Sequence, residues 1–160
     1  MTGPNPAGEA DREIRALYSR LIEAWDKRNA REYALQFASD ALLVGFDGSQ
    51  VKGQLGVGAH VTDVFTHHQT PRYVTIVCDV RMLASDVALL HANAGLIPAG
   101  KNDIDPALNA IQSMVAVQKS GAWKIALFQN TPAAFHMRPE DGKKLTENLR
   151  ARLLESRQNV

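Results

Sequence analysis

The sequence lacks most of the features that would assign it at once to a functional class. It contains one cysteine, Cys78, so an intramolecular disulfide is impossible, and the Val- and Ile-rich run around Cys78 predicts a small buried side chain. Its 18 basic and 17 acidic side chains nearly cancel, which argues against nucleic acid or an anionic membrane as a partner. No apolar run suits a signal peptide or a transmembrane helix, so we expect a cytoplasmic protein.

What is present is the composition of one globular domain. The chain has 160 residues, of which 45% are hydrophobic and 22% charged, enough to bury a real core. We expect residues 1–10 to be a disordered lead-in and residues 11–136 to form the single domain. Leu145, Leu149 and Leu153 lie four residues apart among charged side chains. This spacing predicts a C-terminal helical extension over 137–160.

Helices are expected in the first part of the chain and strands in the second. Apolar residues at helical spacing predict helices over 11–29 and 30–39 and a third one closed by Pro71. Strands are expected over 42–46, 51–53, 72–82, 87–98 and on both sides of Ser120-Gly121. The order α-α-β-β-α-β-β-β-β with a C-terminal helix favours an α+β fold, in which a curved antiparallel sheet wraps around the N-terminal helices.

The stretch from Asn109 to Pro132 carries the strongest local signal. Two alternating apolar runs flank Ser120-Gly121, a pattern typical of a two-residue β-hairpin loop. Ser85-Asp86 predicts a second hairpin in the same way. Counting by twos from the first turn places Trp123 and Ile125 on an apolar sheet face, which also carries amides at its far end.

Three stretches carry a resemblance to a known superfamily: AWDKRNAREYALQFASDALLVGFDG, the VKG before the third helix, and IQSMVAVQKSGAWKIALFQNTP. Together with the order of elements, they resemble the cone-shaped nuclear transport factor two-like superfamily, which includes SnoaL-like cyclases and steroid isomerases. Within it the SgcJ/EcaC group is the most similar. The resemblance covers roughly 11–136 and implies a homodimer with one apolar pocket per subunit, but no single chemistry.

Three chemistries find no support in the residues. The positions that align with the general base and the oxyanion-hole tyrosine of isomerase-like members are Gly45 and Leu21, which can do neither job. The glycines of GQLGVG run in the wrong order for a dinucleotide fingerprint, so we expect no cofactor. His60 and His67 lie about 10 Å apart along one helix, at ~1.5 Å per residue, too far to share a metal ion.

Polar side chains on the otherwise apolar sheet face, together with neighbours on the first helix, form the predicted ligand site. Its members are Tyr18, Trp25, His91, Asn93, Gln112, Met114, Leu127, Gln129 and Thr131. His91 is the only ready general base among them and is the candidate catalytic residue. If the site binds a ligand, the protein is a cofactor-independent enzyme or accessory protein acting on a hydrophobic, polyketide-like or terpenoid-like metabolite. The alternatives are a non-catalytic carrier and a dimerisation module with a vestigial cavity.

The opposite sheet face predicts a homodimer, because it is too apolar for bare solvent. The residues assigned to it are Tyr73, Val77, Leu83, Leu90, Ser113, Val115, Val117 and Phe128.

Overall fold

The structure is a computed structural model that describes residue 3 and residues 5–159. Its elements follow in the order α1 (Pro6–Asp26), α2 (Ala30–Leu35), β1 (Phe37–Val44), β2 (Gln50–Lys52), α3 (Gly53–His67), β3 (Arg72–Ala84), β4 (Val87–Ile97), a short 3-10 helix (Pro106–Leu108), β5 (Ala110–Lys119), β6 (Ala122–Pro132) and α4 (Pro139–Gln158). The predicted α+β class and the predicted order of helices and strands are confirmed. Within the described part of the chain, no helix has both the length and the apolarity to cross a membrane.

The first helix begins earlier than the predicted start at Asp11. The Asn5 side chain caps it by accepting a hydrogen bond from the Ala7 N–H at 3.2 Å, and Pro6 occupies the first turn, where its missing N–H is not needed. Residues 6–10 are therefore helical, whereas residues 1, 2 and 4 of the expected lead-in lie outside the described residues.

The six strands form one open sheet in the order β2-β1-β6-β5-β4-β3. Neighbouring strands are antiparallel except β1 and β6, which are parallel, so the sheet is mixed where a wholly antiparallel one was predicted. A parallel pair needs a long connection between its strands, and the chain from β2 to β5 supplies it. Because the sheet is open, β2 and β3 are its edges.

Hydrophobic clusters lie on both faces of the sheet. On the inner face, α1, α2 and α3 cover a core in which Leu17, Phe37 and Met114 are fully buried. On the outer face, α4 packs Leu149 against the far end of the sheet. Gly95 permits that close approach, since a Cβ atom there would lie 3.1 Å from the Leu149 Cδ1 atom. The terminal helix is thus docked on the sheet.

Both predicted hairpin turns are confirmed. Lys119 pairs with Ala122 across Ser120-Gly121, and Ala84 pairs with Val87 across Ser85-Asp86. Ser120 and Gly121 have φ angles of 53° and 79°, the positive values that a two-residue hairpin loop of the right twist requires.

Away from the turns the register departs from simple alternation, because β3 and β6 carry β-bulges and the register of β1 against β6 shifts between Phe37 and Leu42. The extra residues are Cys78 and Leu83 in β3 and Ala126 in β6. Each extra residue reverses the faces to which the following side chains point. Cys78, predicted to be buried, is exposed at its bulge.

The bulges also change the composition of the outer face. Four residues assigned to it from the sequence instead face the inner core, namely Tyr73, Val77, Leu90 and Phe128. Trp123 has the predicted inward orientation and is 8% exposed.

Candidate functional site

The structure divides the predicted ligand site between the two faces of the sheet. Tyr18, Gln112 and Met114 are buried on the inner face, with exposed fractions of 1%, 0% and 0%. The remaining strand residues of the predicted site lie on the outer face, exposed or half-exposed, namely His91, Asn93, Leu127, Gln129 and Thr131. Their predicted inward orientation is wrong, because the extra residues Leu83 and Ala126 shift the alternation.

His91 is exposed and stands in register between Asp79 and Ser113 on the outer face. It is therefore on the opposite side of the sheet from Tyr18 and Gln112. Its catalytic role stays a prediction, and it cannot share a cavity with those two side chains without crossing the sheet.

Trp25 lies on the inner side, in a cluster of aromatic rings. Its ring centroid is 5.2 Å from that of Phe65, 5.8 Å from Tyr73 and 6.0 Å from Tyr33. The indole N–H donates to the backbone carbonyl of Pro71 at 2.9 Å. These contacts tie the end of α1 to α3 and to the loop that enters β3.

A chain of hydrogen bonds crosses the inner core from α1 to β1. The Tyr18 hydroxyl donates to the Gln112 Oε1 atom, and the Gln112 Nε2 atom donates to the Asn130 Oδ1 atom at 2.8 Å. The Asn130 Nδ2 atom in turn donates to the Val44 carbonyl at 3.4 Å. Gln112 and Asn130 are directly paired residues of β5 and β6. A buried amide needs partners on both its oxygen and its nitrogen, and Gln112 has them.

The phenols around this chain stay protonated at neutral pH. Burial is the largest effect that raises the pKa of Tyr18 above its ordinary value, and the neighbouring Tyr73 raises it further. Burial likewise raises the pKa of Tyr73, and the nearby Asp26 carboxylate raises it further. A phenol whose pKa is raised does not act as a tyrosinate base near pH 7.

A cleft of about 600 Å³ opens beside the Tyr18 end of the chain, between α1, β3 and α4. It is lined by Arg15, Tyr18, Ser19, Thr75, Ile76, Val77, Asn148, Ala151, Arg152 and Glu155. Only Ile76, Val77 and Ala151 among these are aliphatic, so the cleft is more polar than the apolar pocket predicted from the sequence.

The floor of the cleft includes the free edge of β3. The Tyr73 N–H donates to the Asp26 Oδ1 atom at 2.9 Å, and the carbonyl of Leu96, which faces Tyr73 across the strands, accepts from Asp105 instead. The backbone of Tyr73 therefore points away from β4. In an antiparallel pair every second residue does the same, so the N–H and C=O of Thr75 also point to the free edge.

The two arginines at the cleft are each paired along their own helix. The Arg15 Nε atom lies 2.8 Å from the Asp11 Oδ1 atom, and the Arg152 Nη1 atom lies 3.4 Å from the Glu155 Oε2 atom. Exposed pairs of this kind contribute about 0–1 kcal/mol, so either arginine can turn toward a ligand at little cost. Within the described residues, no three His, Cys, Asp or Glu side chains come together as a metal site.

No protein-family model matches the sequence, and no curated protein matches it. Solved structures do match. A protein of unknown function with a cystatin-like fold from Nostoc punctiforme is 21% identical, with a TM-score of 0.75 over 98% of this chain and 100% of the other. An NTF-2-like protein of unknown function from Shewanella oneidensis is 14% identical, with a TM-score of 0.64 over 76% and 98% of the two chains. A protein from Novosphingobium aromaticivorans, provisionally assigned as a scytalone dehydratase, is 14% identical, with a TM-score of 0.68 over 80% and 87%.

The chain has the NTF-2-like cone fold. The predicted resemblance to the nuclear transport factor two-like superfamily is thereby confirmed at the level of the fold, whereas membership of the SgcJ/EcaC group stays a prediction. At these identities the likeness fixes neither a ligand nor a reaction, since the same fold hosts many functions.

Three contributors to the site were not predicted from the sequence. Thr75 is not among the predicted site residues, and Asn130 falls between Gln129 and Thr131, which were predicted to face inward. The wall contributed by α4 was missed because that helix was predicted as an extension outside the domain. One signal was available for α4, since a glycine in the middle of a strand, Gly95, indicates close approach of another element.

Proposed function

We propose that the protein binds a small organic molecule in the cleft between α1, β3 and α4. The observation that carries this proposal is the buried chain from Tyr18 to Val44, which ends at the wall of the cleft. The volume of the cleft, about 600 Å³, lies within the roughly 300–1,000 Å³ typical of small-molecule sites. A few fixed polar groups beside aliphatic side chains are what such sites use to orient a ligand.

Two side chains of the cleft wall, Tyr18 and Glu155, favour a binding role over catalysis. Tyr18 keeps its proton near neutral pH, and Glu155 is exposed and paired with Arg152. Neither is held ready as a general base, which a proton-transfer enzyme needs within reach of its substrate. The similarity to a protein assigned as a scytalone dehydratase keeps a cofactor-independent enzyme acting on a hydrophobic metabolite as the second candidate.

The test is a thermal-shift screen of the whole chain against small polyketide-like and terpenoid-like molecules. A ligand at 100 times its dissociation constant stabilises the folded state by about 2.7 kcal/mol, which is readily measured. Ala151→Trp fills the cleft from α4 and should abolish the shift. Leu154→Trp, at an exposed position of the same helix outside the cleft lining, should retain it. A ligand that stabilises the Ala151→Trp variant as much as wild type does not bind in this cleft.

We also propose that the protein is a homodimer through the part of the outer face that α4 leaves uncovered. Leu42, Leu127, Val115 and Leu89 are adjacent in register across four strands and form a continuous half-exposed apolar row. An apolar row of this extent suits an interface better than solvent.

The charges beside this row suit a second copy of the same chain. Arg81 stands next to Leu89, and Asp79 stands next to His91. A two-fold axis through the row brings the same surface of the two copies together. Arg81 of one copy can then lie against Asp79 of the other.

Light scattering after size exclusion measures the oligomeric state directly. Val115→Lys places a charge in the middle of the row and should give a monomer. Leu55→Lys, which changes an exposed leucine on α3, should remain a dimer. A wild-type protein that is monomeric at micromolar concentration contradicts the proposal.

A further inference from the structure

We propose that the cleft binds an organic acid, whose carboxylate is held between Arg15 of α1 and Arg152 of α4 at the free edge of β3. This inference rests on the proposed binding function, since it names the class of ligand for the same cleft. It follows from a hydrogen bond that the protein already makes one step along that edge, and from the side chains that line the cleft.

The edge of β3 already holds one carboxylate. Asp26, at the C-terminal end of α1, accepts a hydrogen bond from the Tyr73 N–H at 2.9 Å through its Oδ1 atom. Tyr73 points this N–H away from β4, since the carbonyl of Leu96 opposite accepts from Asp105 instead. A hydrogen bond from a backbone N–H to a carboxylate is charge-assisted and is among the stronger kinds in proteins. This edge is therefore suited to binding carboxylates.

The next N–H on the same edge belongs to Thr75, which lines the cleft. Every second residue of an antiparallel strand points its backbone the same way, so Thr75 points outward as Tyr73 does. Among the described residues, no side chain caps the Thr75 N–H as Asp26 caps that of Tyr73. The position at the cleft is therefore open to an acceptor from a ligand.

The facing side of α1 changes character between these two positions. The stripe that ends at Asp26 runs back toward the cleft through Ile22, Ser19 and Arg15, each three or four residues from its neighbour. An acid beside Tyr73 is thus replaced by a hydroxyl group and a cation at the cleft. A carboxylate that binds the edge of β3 in the cleft must come from outside α1.

Cations face this position from both walls of the cleft. Arg15 and Arg152 line it from α1 and α4, and their side chains are 46% and 56% exposed. A guanidinium group matches a carboxylate in charge and in geometry, because its N–H groups can donate in pairs. The present partners of the two arginines, Asp11 and Glu155, are exposed side chains of the same helices, and such pairs are easily exchanged.

The rest of the lining suits an organic acid better than an inorganic anion. Ile76, Val77 and Ala151 offer aliphatic surface that a hydrocarbon body can cover. The charges of the lining, two arginines against the single carboxylate of Glu155, favour an anion over an amine.

Three probes with the same phenylalkyl body test the inference on the whole chain: 4-phenylbutanoate, 4-phenylbutanamide and 4-phenylbutylamine. At pH 7 the first is an anion, the second is neutral and the third is a cation. Binding is measured by NMR titration of isotope-labelled protein. We expect the acid to bind about 5- to 10-fold more tightly than the amide at low salt, since hydrogen bonds to charged groups are the stronger ones. In 1 M salt, where the Debye length is about 3 Å, the preference should fall to about twofold.

The backbone N–H of Thr75 reports directly on where the carboxylate binds. The acid should move its amide proton signal downfield, because the N–H gains a charged acceptor. The Val74 N–H, which faces Gly95 in the ladder to β4, is the matched control and should move little. A Thr75 signal that moves no more than the Val74 signal at saturation contradicts the inference.

The variants identify the cations responsible. Arg15→Gln and Arg152→Gln should each reduce the preference for the acid over the amide to about twofold. Arg31→Gln makes the same change of charge at an exposed position of α2 outside the cleft lining and should keep the wild-type preference. Glu155→Gln releases Arg152 and removes an acid from the lining, so the acid should bind about 2- to 5-fold more tightly while the amide is unaffected. Loss of folding cannot produce such a gain.

Each outcome separates this inference from the proposed function. If the amide or the amine binds in the cleft as tightly as the acid, the carboxylate inference is wrong while the cleft remains a binding site. The same holds if no probe shifts signals from the cleft lining and the ligand screen finds only uncharged or cationic ligands there. If the screen also finds nothing that the Ala151→Trp variant abolishes, both the binding function and this inference fail.

Discussion

The hydrogen-bond chain can be tested as a unit by changing Gln112 and Tyr18 separately and together. Gln112→Leu keeps about the same side-chain volume but removes both the acceptor for the Tyr18 hydroxyl and the donor to Asn130. Tyr18→Phe removes only the hydroxyl. If the two side chains interact, the effects of the two changes on the free energy of unfolding are not additive.

The expected magnitudes follow from burial. Gln112→Leu leaves the Tyr18 hydroxyl, on a side chain that is 1% exposed, without a partner, and an unpaired buried polar group costs about 1–3 kcal/mol. Asn130 is half-buried, so water recovers part of its loss. We expect about 2 kcal/mol for Gln112→Leu and about 1–2 kcal/mol for Tyr18→Phe, which leaves the Gln112 oxygen unpaired. In the double variant neither the Tyr18 hydroxyl nor the Gln112 oxygen is left unpaired, and only the half-buried Asn130 loses a partner, so its loss should be about 1 kcal/mol, smaller than that of Gln112→Leu alone.

Urea unfolding followed by tryptophan fluorescence measures these differences. A loss of about 2 kcal/mol moves the midpoint by roughly 1 M at a typical slope of about 2 kcal/mol per molar urea. The magnitude of the coupling energy should be about 2–3 kcal/mol. Gln118→Leu, a half-exposed position on the same strand, should change stability by less than about 0.5 kcal/mol. Additive losses within ~0.5 kcal/mol would refute the chain as a coupled unit.

Further predictions concern the core, one carboxyl group and the seating of α4. Trp123→Ala should lower the free energy of unfolding by about 3–5 kcal/mol, and a thermal midpoint close to wild type would contradict its burial. Burial raises the pKa of Asp26 in the folded state, so its contribution to stability falls as the pH rises from 3.8 through the folded value. Asp26→Asn, which keeps an acceptor for the Tyr73 N–H, should therefore gain in stability relative to wild type over that window in urea titrations. Gly95→Val should destabilise by about 1–3 kcal/mol, because its Cβ atom would lie 3.1 Å from the Leu149 Cδ1 atom, and thermal unfolding should show the loss.

The fold class, the order of elements and both hairpin turns could be predicted because their signals are local. Helical spacing of apolar residues marks α1, and Ser120-Gly121 supplies the positive φ angles of the hairpin loop from two adjacent residues. Tyr18 and Gln112 were assigned correctly to the inner face for the same reason, since their positions depend on the nearest helix or turn and not on distant parts of the strand.

The rest of the site could not be predicted, because β-bulges have no comparably local signal. Alternation is reliable only up to the first extra residue, and Leu83 lies within a few residues of the turn from which His91 was counted. His91 was therefore assigned to the wrong face although its hairpin was correct. The docking of α4 depends on a contact between distant segments, Gly95 and Leu149, which no periodicity within either segment reports.

The bulge at Ala126 decides which side chains of β6 lie on each face of the sheet. With Ala126 as the extra residue, Phe128 and Asn130 face inward, Asn130 meets Gln112 in register, and Leu127 joins the outer apolar row. Deleting Ala126 should remove the bulge without changing which way Phe128 and Asn130 point, because alternation from Ile125 then runs on regularly.

A variant without Ala126 should therefore remain folded. Deletion of Val115 from the partner strand is the matched control. It shifts a strand segment that is regular from Ala110 to Val115, sends inward side chains outward and should prevent folding. Circular dichroism and thermal unfolding distinguish the two variants. If loss of Ala126 is as damaging as loss of Val115, then Ala126 is not the extra residue, and the pairing of Gln112 with Asn130, on which the hydrogen-bond chain depends, is incorrect.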